Sequence, residues 1–205
     1  IGLALLAELA GHDLGWQTTS AMLTRIDRVL TAMLALERHR GHLFNWYDTQ
    51  TGTPLAPRYV SMVDSGNLAG HLLVLAAGLR ELVHGLPDAY QRLAGTQATL
   101  RCSDNHEAIA LAGSTADLAR MATAARTLAT RLTGTAGEWC ARAAGEADAH
   151  LLEIKNLADV DRFFAATEIA RAEALAARAE GFALQMEWAF LLDPRAKLFA
   201  IGWQV

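Results

Sequence analysis

SAMLTRIDRVLTAMLALER, residues 20–38, decides the fold class. Met22, Ile26, Val29, Met33 and Leu36 recur at helical spacing and make one apolar stripe, while Arg25, Asp27 and Arg28 fall off it. Ser20 stands at its head as the expected N-cap. The same period extends outward on both sides. Residues 2–12 carry Leu3, Leu6, Leu9 and Ala10, and from Asn67 the pattern resumes with Leu68, Leu72, Leu75 and Leu79 on one face until Gly85-Leu86-Pro87. A short helix is expected over 88–100. Three Ala-rich amphipathic stretches follow at 104–132, 136–155 and 159–184, separated by Thr133-Gly134-Thr135 and by residues 156–159. They read as antiparallel helices packed through small residues. Trp188, Phe190 and Leu192 then alternate with Ala189 and Leu191, Asp193-Pro194-Arg195 supplies a turn, and Leu198–Val205 returns, which predicts a β-hairpin over 186–205. The expected fold is mainly α, built of helical hairpins.

The helical pattern breaks once, in GHLFNWYDTQTGTPLAPRYVSMVDSG, residues 41–66. Long irregular segments inside compact domains are uncommon and often functional. Residues 44–71 combine aromatic rings (Phe44, Trp46, Tyr47, Tyr59) with Asn45, Asp48, Asp64, Asn67, Arg58 and His71. Flat rings cover the apolar faces of pyranose sugars, and carboxylate, amide and guanidinium groups bind hydroxyls. Pro54 and Pro57 lower the segment's freedom and so the entropy lost on binding. Plainer roles stand beside this reading. Phe44 and Tyr59 also suit loop packing, and Asp64 or Ser65 suits the cap of a helix starting near Asn67. The trio Trp46-Tyr47-Asp48 is harder to account for by packing alone.

Composition sets the outer limits. The chain has 205 residues, 52% of them hydrophobic, and a net charge of −4, which excludes a disordered chain and a strongly basic nucleic-acid binder. No uninterrupted apolar run reaches the roughly 18 residues of a membrane span. The opening IGLALLAELA lacks the basic flank and cleavage site of a signal peptide. Cys102 and Cys140 lack metal-ligand spacing and read as reduced, structural thiols. The chain starts at Ile1 inside a helical pattern and stops at Val205 inside an apolar strand, so it reads as one partial domain, 1–205, cut from something longer.

Three stretches resemble cyclic β-1,2-glucan synthases: RGHLFNWYDTQTGTPLAPRYVSMVDSGNLAGHLL at 40–73, IGLALLAELAGHDLGW at 1–16, and FLLDPRAKLFAIGWQV at 190–205. The last is similar to the family's FLYDP…LFSIGY segment, with Leu192 in place of a Tyr. The Ala-rich helices between match only in length and character. The resemblance implies a large inner-membrane protein with this segment on the cytoplasmic side. It implies three regions: a transferase that extends linear β-1,2-glucan from UDP-glucose, a middle region that closes the ring by retaining transglycosylation, and a phosphorylase-like region. It places this chain in the middle region, an (α/α)-barrel whose helix-end loops line a cavity. Residues 1–103 would be barrel helices with a sugar-facing loop at 41–66, and 104–184 long helices that also suit docking of neighbouring domains of the parent synthase.

Under that resemblance the substrate-binding residues are Asn45, Trp46, Tyr47, Asp48, Arg58, Tyr59, Asp64, Ser65, Asn67 and His71, the partner is β-1,2-glucan, and no cofactor is expected. Retaining chemistry needs two carboxylates about 5 Å apart. Asp48 and Asp64 have no evident partner to raise one pKa, and the family's catalytic glutamates follow the LFSIGY-like strand. No catalytic residue is therefore assigned, and the isolated chain is expected not to cyclise glucan. The alternative is a non-catalytic helical docking module of the same synthase. Elsewhere, His39 and His42 lack a third metal ligand, His106-Glu107 and Glu146…His150 match no zinc-protease motif, and Ser65 is not in a nucleophile elbow. Glu138, Glu146, Glu153, Glu168, Glu173 and Glu180 read as a solvated, salt-bridged face. Trp188, Phe190, Phe199 and Trp203 read as packing residues, Trp203 with the option of bordering the cavity.

Overall fold

The computed structural model describes residues 1–86, 88–114, 117–159 and 163–205. Eight α-helices dominate the described residues: α1 (Gly2–Asp13), α2 (Thr19–Ala35), α3 (Met62–Glu81), α4 (Ala89–Arg101), α5 (His106–Ser114), α6 (Leu118–Arg131), α7 (Gly134–Asp159) and α8 (Phe163–Leu184). Six short strands accompany them: β1 (Arg38–His39), β2 (His42–Leu43), β3 (Tyr59–Ser61), β4 (Leu192–Asp193), β5 (Leu198–Phe199) and β6 (Gly202–Gln204). The fold is mainly helical with a few antiparallel C-terminal strands, as the periodicities predict. The chain divides into two compact units. One holds Ile1–Ala7, Thr24–Glu81 and Arg171–Val205; the other holds Glu8–Leu23 and Leu82–Ala170.

In the first unit the predicted stripes are the buried ones. Ile26 and Met33 of α2 are sealed from solvent, with Leu30 buried in place of the half-buried Val29, as are Leu72, Leu75 and Leu79 of α3. Helix α1 differs from its expected register. Leu5 is fully buried whereas Leu3 is exposed, because a helix apolar on every side carries no stripe to read. Two caps also move. Thr18 rather than Ser20 caps α2, its hydroxyl accepting the Ala21 N–H at 3.3 Å. Ser61 rather than Asp64 or Ser65 caps α3, accepting the Asp64 N–H at 3.1 Å, so the helix starts at Met62, five residues before Asn67. By length and composition alone the run Met62–His84 is apolar enough to cross a membrane. Asp64 in its first turn, and Arg80 paired with Glu173 (3.2 Å) and Glu180 (2.8 Å), weigh against that use.

The expected C-terminal hairpin is shorter than 186–205. Ala189–Leu191 form a 3-10 turn, β4 pairs with β5 across Asp193–Lys197, and β6 leaves the hairpin to pair antiparallel with β3, Val60 opposite Trp203. The aromatic alternation there serves side-chain packing: Trp188 and Phe190 meet His42 edge-on at 4.9 and 5.4 Å, and Trp203 meets Phe190 at 6.1 Å. His42 is fully buried with Nε2 bonded to the Glu187 carbonyl at 2.9 Å, and His39 packs edge-on against Phe190, so both histidines have packing roles.

The second unit packs α4, α5, α6 and α7 around a core of Leu100, Ala108, Met121, Ala125, Cys140 and Ala143. The stretch 104–132 is two helices, with Asp117 capping the second by accepting the Arg120 N–H at 2.7 Å. Residues 115–116 between them, Pro87, and residues 160–162 within the expected 159–184 helix lie outside the described residues. Both cysteines are free; burial pushes the Cys140 thiol up, while Cys102 is exposed. The expected solvated row of glutamates is only partly solvated. Glu173 is an exposed and Glu180 a half-buried partner of Arg80, while Glu153 and Glu168 are buried. Glu153 is drawn inside by Arg92, whose guanidinium donates at 2.7 Å with both side chains under 5% exposed.

Beside that ion pair lie two buried histidines. His12 Nε2 is 3.1 Å from the Thr19 hydroxyl, and His150 Nε2 donates to the Gly15 carbonyl at 2.9 Å. Burial, the largest influence on each, holds both imidazoles below their ordinary pKa. Their folded pKa lies under the unfolded value, so their contribution is complete above about pH 6.5 and is lost as pH falls from there through the lowered values. Glu146, pushed up by burial, acts in the opposite sense. In a Glu146→Gln background the urea midpoint should therefore drop between pH 7.5 and 5.5. A flat midpoint would mean that these two rings and His42, which burial lowers in the same sense, charge at no cost.

Candidate functional site

The first unit carries an open cleft of about 520 Å³, within the 300–1,000 Å³ usual for small-ligand sites. Two segments and one helix end build it. From α3 come Asp64, Ser65, Asn67, Leu68 and His71. Asp64, Asn67 and His71 are spaced i, i+3, i+7 and so share one helix face. From the end of β2 comes Leu43, from the segment after it Phe44, Asn45 and Trp46, and from the start of α1 Ile1, Gly2 and Leu3. Gly2 is required by close approach: a Cβ there would lie 2.4 Å from His71 Nδ1. The cleft therefore offers an indole, apolar walls, one carboxylate, two carboxamides and an imidazole.

Trp46 is 49% exposed and stacks on Tyr59, ring centroids 6.4 Å apart at 30°. One face of the indole is thus backed by a phenol. A half-exposed tryptophan costs hydrophobic free energy unless something covers it. The alternating apolar wall and polar α3 face suit a ligand with both apolar faces and many hydroxyls.

Six of the ten residues expected from sequence line this cleft: Asn45, Trp46, Asp64, Ser65, Asn67 and His71. The other four support it from outside. Tyr59 backs Trp46. The Tyr47 hydroxyl accepts the Phe44 N–H and donates to the Glu37 carbonyl, each at 2.8 Å, and burial pushes its phenol up. Asp48 closes a turn: Oδ1 accepts from Thr51 (2.8 Å) and Gln50 (2.9 Å), and those N–H groups hold its carboxyl below the usual range. Arg58 pairs with Glu37 at 2.7 Å and lies over the Phe44 ring. Trp203 does not line the cleft; it sits on β6 opposite Val60.

The chain is 28% identical over 249 residues to the cyclic beta-(1,2)-glucan synthase NdvB of Rhizobium meliloti (strain 1021), a match covering 100% of this chain. The likeness to cyclic β-glucan synthases runs the whole length of the chain. It takes in both the cleft and the Ala-rich helices, where the sequence carried no specific motif. The chain spans 9% of the length of that synthase. No family model matches it.

Sequence reasoning missed the wall formed by Ile1, Gly2, Leu3, Leu43 and Leu68. Nothing local marks a helix start as a cleft wall. The available sign was Gly2 at the head of an otherwise bulky apolar run, which marks a close approach to something.

Proposed function

We propose that this chain is part of the glucan-cyclising region of a cyclic β-1,2-glucan synthase, and that its cleft holds glucose units of linear β-1,2-glucan. The observation that carries this is the half-exposed Trp46, backed by Tyr59 and facing a row of Asp64, Asn67 and His71. An indole receives the C–H face of a pyranose, while the carboxylate and amide accept and donate hydroxyl hydrogen bonds. On this reading the helices are part of an (α/α)-barrel, and the parent protein lies at the bacterial inner membrane with this segment cytoplasmic. The chemistry is retaining transglycosylation, for which two carboxylates about 5 Å apart are needed. Among the described residues Asp64 is the one acidic residue lining the cleft, which supports a catalytic pair supplied by other residues of the parent and a chain that does not turn over glucan by itself.

A second reading has its own support. Leu198, Phe199, Ile201, Trp203 and Val205 are all more than 45% exposed, an apolar group that suits docking to another part of the parent protein. Equilibrium titration of the intact protein with linear β-1,2-glucan separates the two. Trp46→Ala should weaken binding by about ten- to a hundredfold, the effect of removing a central aromatic anchor. Unchanged affinity would favour docking.

A further inference from the structure

Two of the residues expected to touch sugar, Tyr47 and Arg58, turn their polar atoms away from the cleft and toward the end of α2. The Tyr47 hydroxyl bridges the Glu37 carbonyl and the Phe44 N–H, 2.8 Å to each. Arg58 bonds the Glu37 carboxylate at 2.7 Å and covers the Phe44 ring, its guanidinium carbon 5.7 Å from the centroid. Glu37 is thus held through both its main chain and its side chain. The two tied positions, Phe44 and Tyr47, bracket Trp46. Downstream, the Leu55 N–H bonds the Trp46 carbonyl at 3.0 Å, and Asp48 closes the turn beyond it.

This arrangement fixes the backbone around Trp46 while leaving the residue 49% exposed. An unsupported aromatic on a surface segment loses rotamer and backbone freedom when a ligand covers it, and that loss subtracts from affinity. A phenylalanine at position 47 would keep the edge-on contact with Phe44, 6.3 Å between centroids, but would leave the Phe44 N–H and Glu37 C=O without this bridge. The hydroxyl therefore contributes orientation rather than bulk.

We propose that Tyr47 is a positioning residue for the cleft: its hydroxyl bridge between Glu37 and Phe44, braced by Arg58, holds Trp46 in the orientation that receives a pyranose ring. The proposal rests on the carbohydrate reading of the cleft given above, and its test keeps the two apart. Tyr47→Phe is made in the intact protein carrying this chain, alone and combined with Trp46→Ala, and each form is titrated with linear β-1,2-glucan. Tyr47→Phe alone should weaken binding roughly three- to tenfold, the effect of one lost hydrogen-bonded bridge. In the Trp46→Ala background it should change nothing further, because both substitutions act through one contact. Where Trp46→Ala does weaken binding, an equal loss from Tyr47→Phe in both backgrounds, or none in either, overturns the proposal. A ligand-free readout accompanies this: acrylamide quenching of the Trp46 emission, taken as the difference from the matching Trp46→Phe protein. Tyr47→Phe should raise that quenching, and Arg58→Gln should raise it less. Unchanged quenching in both variants overturns the proposal. Raised quenching together with glucan affinity indifferent to Trp46→Ala keeps the positioning role and rejects the carbohydrate reading.

Discussion

Arg92→Met should destabilise the protein by about 3–5 kcal/mol, as expected when one partner of a buried ion pair is removed. Glu153 would be left inside, 4% exposed, with its Oε1 held by the Ser20 N–H at 3.4 Å and its Oε2 without the guanidinium that now lies 2.7 Å away. The cost is that of an uncompensated carboxylate in a dry interior, not the net value of the pair. Replacing both partners by apolar residues of similar volume removes the charge altogether, so Arg92→Met/Glu153→Leu should recover most of the loss. Urea unfolding of the three proteins at pH 7.5 measures this. A double variant no more stable than the single one would show that the pair contributes through its geometry rather than its charge.

Gly95→Ala is the second large effect, about 3 kcal/mol from adding one methyl group. A Cβ at residue 95 would lie 2.1 Å from the Gly15 carbonyl oxygen and 2.2 Å from its carbon. Both are main-chain atoms, so no side-chain rotation relieves the overlap, and overpacking of this kind sits at the upper end of its usual 1–3 kcal/mol range. The contact is reciprocal. A Cβ on Gly15, at φ +75°, would lie 2.0 Å from the Gln91 carbonyl oxygen. Moving Gly15 also disturbs the carbonyl that His150 donates to. Thermal unfolding should show a lower midpoint with an unchanged helical spectrum below it. An unshifted midpoint would mean that the turn after α1 and helix α4 separate freely.

Legibility was greatest where a helix has one face apolar enough to bury and an opposite face polar enough to define it. Leu72, Leu75 and Leu79 of α3 are buried as read although Leu73 and Val74 leave its other side apolar and exposed, and α2, with Met22, Ile26 and Met33 buried, meets that condition in full. Helix α1 does not, and its core side falls on Leu5 instead of Leu3. Pairing between distant segments was equally hidden. Nothing in YVS at 59–61 names GWQ at 202–204 as its partner, because strand register is settled by packing at long range. For the site, residue type predicted the neighbourhood better than the contact. Asp64, Asn67 and His71 line the cleft through their helical spacing, whereas Tyr47, Asp48 and Arg58 spend their polar atoms on the segment that carries Trp46. Short-range hydrogen bonds compete for such groups, and sequence alone does not show which demand wins.

A structure of the intact protein bound to linear β-1,2-glucan tests the account at its centre. It should show a glucose ring lying flat on the free face of the Trp46 indole, its hydroxyls bonded to Asp64 and Asn67. Glucan seated elsewhere, with water alone between Trp46 and α3, would contradict it.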